Sequence, residues 1–286
     1  MNKWLKRALV GLGITLGLIL LAIGGVYVVS SARLAEAHEA TPHPYMQAGG
    51  DVVEGGRLAN LYGCTACHGA NLGGTLMIDD PMFARLPAPN LTSGREGGAL
   101  TDEQWEVAVR HGIGPDGRAL FIMPSPEYVY FSDKDLADIV AYVRTVPPVG
   151  SELPARSLGP VGRTLFTLGQ LPTALDLMPA DARHMAAVPR EPTVEFGNYL
   201  TRLCTGCHGG DLGGLPPMQP GSPPAPSLRG DGNLANWTLD QFKSTMRTGQ
   251  TPEGKALDPE FMPWPEIGRA RDAELEGVWN YLLTLR

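Results

Sequence analysis

The feature that most constrains this 286-residue chain is a short cysteine motif that occurs twice. Cys64-Thr65-Ala66-Cys67-His68 and Cys204-Thr205-Gly206-Cys207-His208 use all four cysteines of the chain. Each puts two thiols on one helical turn with a histidine directly after them. The motif sits inside a longer repeat. Residues 64–74 match 204–214 at a shift of 140, and residues 88–91 (A-P-N-L) match 225–228 (A-P-S-L) at a shift of 137. Residues 115–120 match 252–257 at the same 137, and Met123-Pro124 matches Met262-Pro263 at 139. The changes of shift place small length differences in loops, where insertions are tolerated. Two long copies do not make a solenoid, whose units are about 20–45 residues. They predict a tandem of two domains with independent cores, residues 44–146 and 193–286.

Each copy reads as helices joined by loops. Residues 55–62 and 196–203 are short helical patterns that run into the cysteine motif. Residues 101–111 place Trp105 and Val109 four apart, with Asp102 and Glu103 in the first turn and Gly112 past the end, which are helix start and stop signals. Residues 238–248 repeat this with Phe242, Met246 and Gly249. Ser132 with Asp135 reads as a capping box opening a helix to Val146, with Leu136, Ile139, Val140 and Val143 as its apolar stripe. Residues 272–285 repeat that stripe with Leu275, Val278, Tyr281 and Leu282. No sustained strand alternation is visible, so the expected fold class is all-α. Residues 147–192, rich in Pro, Leu and Gly, form an interdomain linker too long to lack structure of its own. A short helix is expected near 161–168, with the rest wrapping across one or both domains. With 36 Gly and 26 Pro the chain is loop-rich but folded.

Residues 8–29 carry no charge over 22 positions. A helix of that length spans a hydrocarbon core of about 30 Å. Lys3, Lys6 and Arg7 precede it, and Arg33, Glu36 and Glu39 follow, so the positive-inside rule puts the N-terminus in the cytoplasm and the remainder outside. The expected layout is a transmembrane anchor over 1–30 and a stalk over 31–43. A cleaved signal peptide is the competing reading; its apolar region runs about 7–15 residues, shorter than this one, and the small-residue site at 35–37 lies beyond the run. On either reading the body is exported, and the expected location is the outer, periplasmic face of the cytoplasmic membrane, with a single pass. The chain has 30 Asp and Glu against 23 Lys and Arg, a net charge of -7, and three of those bases lie in the first 30 residues. That balance excludes the basic footprint of nucleic-acid binding and favours a partner with a basic docking patch.

C-x-x-C-H is the attachment signature of c-type haem. Cys64 and Cys67, and Cys204 and Cys207, are placed to form thioethers to the haem vinyl groups, which carries His68 and His208 to the iron as axial ligands. A zinc site and a redox dithiol are the alternatives. A zinc site needs no histidine after each second cysteine, and a redox dithiol belongs to a βαβ context. Met123 and Met262 are the candidates for the second axial position, because His/Met ligation is the cytochrome c arrangement. Each precedes a proline, lies between a P-x-G loop and the last helix, and follows its histidine by 55 or 54 residues. Met77, Met82, Met178, Met185 and Met218 have no partner in the other copy, and Met246 aligns with Val109 as a core residue. His111 closes a helix where the second copy has Thr248; His38 and His43 belong to the stalk and His184 to the linker. Pro89 and Pro226, at matched positions, are candidates to offer a carbonyl to the histidine ring N–H. Arg229 and Trp237 are candidate donors to haem propionates. Thr92 and Leu100 stand at their places in the first copy, so the two sites are expected to differ.

The C-x-x-C-H motif, the A-P-N-L stretch, the W-x-x-x-V helix ending in Gly, the P-x-G loop, the M-P dipeptide and the closing L-x-x-x-x-x-Y helix occur in that order in both copies, with conservative changes in the second. Together they resemble two tandem class I cytochrome c domains. The chain is similar to the membrane-anchored mono- and di-haem cytochromes c, a group that includes the cytochrome subunits of periplasmic alcohol and gluconate dehydrogenases. The resemblance implies an all-α fold around each of two covalently attached c-type haems, one exposed haem edge per domain, and electron transfer. The expectation is a membrane-anchored di-haem carrier, not an enzyme. It would pass electrons from a quinol-linked complex or dehydrogenase to a terminal acceptor, with His68 and Met123 on one iron and His208 and Met262 on the other. The expected partners are redox proteins or a respiratory or dehydrogenase complex. A di-haem peroxidase and a haem-based sensor are the rivals. The two in-register Met-Pro dipeptides argue against the open iron of a peroxidase, and the short cytoplasmic side lacks the signalling segment of a sensor.

Overall fold

The computed structural model describes residues 2–46, 49–92, 100–180, 182–217 and 221–286. Helices dominate among them. The chain opens with α1 (Lys3–Ala35), one unbroken helix with an 18-residue window of mean hydropathy 2.4 that lies outside the protein core. It is long and apolar enough to cross a membrane. No proline interrupts residues 30–35, so the helix runs past the expected anchor boundary at residue 30 into the expected stalk.

The first unit contains α2 (Val52–Leu61), α3 (Cys64–His68), a hairpin of β1 (Thr75–Asp80) and β2 (Ala84–Ala88), α4 (Asp102–His111), α5 (Ser125–Tyr128) and α6 (Asp133–Thr145). Asp51 starts α2 by accepting the Val53 and Glu54 N–H groups. Thr101 and Gln104 form a reciprocal capping box on α4, which satisfies two of the donors a helix start leaves open. α2 crosses α6 at close range. A Cβ on Gly55 would fall 1.8 Å from the Asp138 carbonyl oxygen. Leu58, Leu136, Val140 and Val143 fill the contact and are fully buried.

The sheet corrects the all-α expectation. β1 pairs antiparallel with β2, Thr75 opposite Ala88 and Asp80 opposite Ala84, and β3 (Ser157–Leu158) in the linker adds to the far side of β2. Ala84, Leu86 and Ala88 face inward and Arg85 outward. The second copy is shorter here and, among the described residues, forms a single bridge, Leu215 to Ala225. After β3 the linker forms α7 (Pro160–Thr167), with Pro160 at its first turn. The last turns of α1 dock on α7. Arg33 donates to the Phe166 carbonyl at 2.7 Å, and Arg163 donates to the Ser30 and Ser31 hydroxyls at 2.8 and 2.9 Å.

The second unit contains α8 (Val194–Thr201), a 3-10 turn at Arg202–Cys204, α9 (Thr205–His208), α10 (Leu239–Thr248), α11 (Trp264–Ile267) and α12 (Asp272–Leu282). Thr238 and Gln241 repeat the capping box on α10. α8 and α12 repeat the close crossing, with a Cβ on Gly197 falling 1.9 Å from the Gly277 carbonyl oxygen.

The two cores are not independent, contrary to expectation: one apolar cluster runs through both units. Asp135, fully buried in α6, accepts from Tyr62 at 3.1 Å and Tyr199 at 2.6 Å and pairs with Arg190. The Ser132–Asp135 capping box is therefore only half formed. Ser132 Oγ accepts the Asp135 N–H, but the Asp135 carboxylate turns into the interface, and the Ser132 N–H is taken by the Tyr199 hydroxyl at 3.0 Å. Nearby, Arg57 bridges Glu54 and Glu274 at 2.7 Å each, and Arg271 meets Glu54 at 2.7 Å.

Candidate cofactor sites

The turns that follow the two cysteine motifs fold alike to within about a tenth of an ångström in their backbone hydrogen bonds. After His68, Gly69 takes φ 82°, Leu72 φ 55° and Gly74 φ 88°; after His208, Gly209, Leu212 and Gly214 take 85°, 57° and 93°. The Gly74 N–H donates to the His68 carbonyl and the Gly214 N–H to the His208 carbonyl, both at 2.8 Å. A leucine in the left-handed region is strained. Both copies keep it, fully buried, because that turn brings the A-P-x-L segment back across the histidine: the Leu91 N–H donates to the Leu72 carbonyl and the Leu228 N–H to the Leu212 carbonyl, both at 2.9 Å.

That return sets the imidazoles. His68 Nδ1 lies 2.7 Å from the Pro89 carbonyl oxygen, and His208 Nδ1 lies 2.8 Å from that of Pro226. A carbonyl only accepts, so Nδ1 carries the proton and Nε2 keeps its lone pair. Burial pushes both imidazoles down from their ordinary range, with the carbonyls pulling the other way. The ring is thus a neutral, oriented ligand. The four thiols are free of disulfides. Burial, with the neighbouring sulfur adding to it, pushes the Cys64 and Cys204 thiols up to about 12. Burial also raises Cys67 and Cys207. A reactive redox dithiol depends on a lowered thiol, so this environment is the opposite of that one.

In the first unit these residues line an apolar cleft. Cys64, Cys67 and His68 line it together with Leu120, Phe121 and Met123 and with Trp105 and Val109 of α4. Met123 therefore faces the same space as His68. Met77 of β1 reaches it too, brought there by the hairpin. Trp105 Nε1 is buried with no hydrogen-bond partner among the described residues, an open donor beside the cleft. Arg156, from the linker, also lines it. Its guanidinium donates to the Ala119 carbonyl at 2.7 Å and stands 3.6 Å from Asp116, and burial lowers its pKa. Nothing in the sequence marks Arg156, and the helical spacing presents Trp105 as core.

In the second unit Met262 packs against the apolar core just ahead of α11, as Met123 does ahead of α5. The turn is the same, with the Ser125 N–H donating to the Met123 carbonyl at 2.8 Å and the Trp264 N–H to that of Met262 at 2.6 Å. Arg229 and Trp237 do not stand free. Arg229 is held by Asp211, and the Trp237 indole donates to Glu253 at 2.8 Å. Met218 lies outside the described residues.

Residues 52–147 and 197–286 each match the family model described as Cytochrome c. The chain is 28% identical over 274 residues to the cytochrome c subunit of alcohol dehydrogenase (quinone) from Gluconacetobacter polyoxogenes, covering 82% of this chain and 56% of that one. The fructose dehydrogenase cytochrome subunit of Gluconobacter japonicus is 34% identical over 116 residues, 37% of this chain and 24% of that one. A di-haem cytochrome of the c type from Cereibacter sphaeroides is 26% identical over 148 residues, 47% of this chain and 48% of that one. The chain thus spans about half the length of the alcohol dehydrogenase and di-haem relatives, and about a quarter of the fructose dehydrogenase one.

Proposed function

The chain belongs to the cytochrome c family, and from that premise we propose that it is a membrane-anchored di-haem electron carrier that serves a dehydrogenase complex. It carries two c-type haems, one for each C-x-x-C-H motif. The cleft fits the group: two neutral thiols, an imidazole with a bare Nε2, apolar walls and an unpartnered indole donor. The bound haem supplies a one-electron ferric–ferrous couple.

Everything else is work for the chain's own residues. Residues 44–146 and 193–286 act as tandem class I domains. Cys64 and Cys67, and Cys204 and Cys207, hold the cofactors covalently. His68 and His208, held in orientation by the Pro89 and Pro226 carbonyls, would offer Nε2 to the irons. Met123 and Met262 would supply a second protein ligand to each iron, which suits electron transfer rather than bond chemistry. Trp105 and Arg156, which line the first cleft, would offer donors to the carboxylates of the cofactor, Arg156 through the N–H groups that Ala119 and Asp116 leave free. Electrons cross between the sites where the units meet. α5, which follows Met123-Pro124, packs on the Arg202–Cys204 turn, and the Glu127 side chain lies against Gly206 inside the second motif. α1 anchors the domains on the periplasmic side, with linker 147–192 joining them, and the acidic body docks on basic partner surfaces. The single observation that carries this reading is the duplicated histidine geometry, facing in the first unit a cleft that also holds Met123.

The test is the visible spectrum of the dithionite-reduced protein before and after carbon monoxide. Two six-coordinate c-type haems per chain and a spectrum that barely changes are expected. Ready uptake of the gas by wild type would refute the methionine ligation. Met123→Ala opens one haem of the two to the gas and Met77→Ala opens none; the reverse result moves the ligand to Met77. Copurification with a dehydrogenase from gently solubilised membranes tests the complex.

A further inference from the structure

We propose that His43, Asp133 and His184 form a binding site for one divalent transition-metal ion of the zinc class, separate from both haem sites. The three residues come from three segments: the stretch between α1 and α2, the first turn of α6, and the linker. None of them lines the cleft. His43 Nε2 lies 3.1 Å from Asp133 Oδ2, and His184 Nε2 lies 3.8 Å from Asp133 Oδ1. The three donor atoms all fall within 4.8 Å of one another. Tetrahedral zinc with bonds of about 2.0–2.2 Å sets its ligand atoms about 3.3 Å apart, so small side-chain adjustments close the site. The 3.8 Å separation is too long for a hydrogen bond. The imidazoles meet edge-on, ring centres 4.3 Å apart at 61°, and each has its Nε2 nearest an oxygen of the same carboxylate.

The surroundings suit a dication. Buried Arg110 donates to Asp133 Oδ1 at 2.9 Å and to the Phe131 carbonyl at 2.6 Å. It fixes the carboxylate while Oδ2 faces His43, the kind of outer support that orients a metal ligand. Glu106, fully buried, stands 3.6 Å from Arg110 and 3.3 Å from His111. Two carboxylates against one guanidinium leave a net negative charge for a cation to meet. Burial, with Arg110 adding to it, pushes the His184 imidazole down, which favours the neutral form that binds metal. Two of the three segments are already joined. The Asp133 and Lys134 N–H groups donate to the Met185 and Ala186 carbonyls at 2.8 and 3.0 Å. His43, nearly half exposed, is the third ligand to engage. Its capture adds a crosslink to a segment that the His38 N–H, donating to the Gly117 carbonyl at 2.8 Å, and buried Tyr45 already hold against the first unit. A ligand set of two imidazoles and one carboxylate suits zinc, copper or nickel better than magnesium or calcium.

The test uses the full-length haem-loaded protein without a histidine tag, in detergent, chelator-stripped and titrated with zinc chloride by calorimetry. One saturable equivalent is expected. His43→Ala and His184→Ala each weaken it by about 100-fold or more, since loss even of an outer partner costs about 10–100-fold. His38→Ala leaves it unchanged. Zinc is also expected to slow proteolysis after α1, and not in His43→Ala; His43 is exposed enough for that variant to fold. No saturable equivalent, or unchanged affinity in both histidine variants, overturns the proposal.

Discussion

Alanine in place of Gly197 tests the claim that each unit is held by one tight helix crossing. The new Cβ would sit 1.9 Å from the Gly277 carbonyl oxygen, 2.5 Å from the Gly277 carbonyl carbon and 2.7 Å from Tyr281 Cβ. An ordinary carbon–oxygen contact is about 3.3 Å, so α8 and α12 must part by more than an ångström. The obstacle is backbone, which has no rotamer to give. Parting the helices also loosens Phe196, Leu200, Leu275 and Leu282, which are buried beside the crossing; a gap of about 1 Å forfeits up to half of each dispersion contact. Overpacking of a core costs about 1–3 kcal/mol and occasionally more, and here the upper end applies. Alanine regains about 1 kcal/mol of helix propensity over glycine. The net expectation is a loss of about 2–3 kcal/mol. Denaturant unfolding of the haem-loaded protein, followed by tryptophan fluorescence, reads it. Gly210→Ala is the control, because nothing lies within 4 Å of its Cβ. If Gly197→Ala unfolds within about 0.5 kcal/mol of wild type, the close crossing is not what holds the second unit, and the same inference at Gly55 fails with it.

Two further outcomes follow from the interface. The Arg57 side chain, hydrogen-bonded to Glu54, holds that carboxyl at about 2 against an ordinary 4.5, with Arg271 and Arg190 adding to it and burial opposing. Because the folded value is the lower one, the stabilisation is complete above pH 4.5 and is lost as the pH falls toward 2. Glu54→Gln should therefore destabilise at about pH 7, with the gap to wild type closing by about pH 2; a gap independent of pH would exclude the ion pair as its source. Tyr199→Phe removes the donor to buried Asp135 and the acceptor of the Ser132 N–H, and should cost about 2–3 kcal/mol. The loss should appear as one cooperative transition for both units, whereas two resolved transitions would mean that the cores unfold independently.

Some of this is legible because the chain says it twice. The motif, the glycine-ended helices and the Thr101–Gln104 and Thr238–Gln241 starts recur in register, and local chemistry builds each of them. The carbonyl partners of the histidines are legible for the same reason, since Pro89 and Pro226 stand at matched positions. What stays hidden depends on residues far apart in the chain. The hairpin shows only three inward residues, its pairing slips between Leu76 and Ile78, and its third strand arrives from residue 157. Asp135 carries a local signal, the capping box, and the structure spends that carboxylate on Tyr199, 64 residues away. His43 and His184 look like stalk and linker residues because nothing local ties them to Asp133.

The same division explains how two copies of one site come to differ. What the copies share is the geometry that orients the histidine: the imidazole, its carbonyl partner and the strained turn between them. What they do not share is the wall. Trp105 has an indole N–H without a partner among the described residues, where the second copy has Phe242, whose ring carries no donor. Met77 enters the first cleft on a hairpin where the described residues of the second unit form a single bridge, and Arg156 enters it from a linker that has no second copy. Hydrogen bonding, charge and solvent access around a haem set its potential when the ligands are held constant. With its carboxylates toward Trp105 and Arg156, the first haem would have their negative charge offset by donors and a cation, which would weaken their support of the ferric state. The first haem should then have the higher potential. Redox titration of wild type and Arg156→Gln separates the two: the variant should lower the higher of two resolved midpoints and leave the other in place, and a shift of the lower one alone would reverse the assignment.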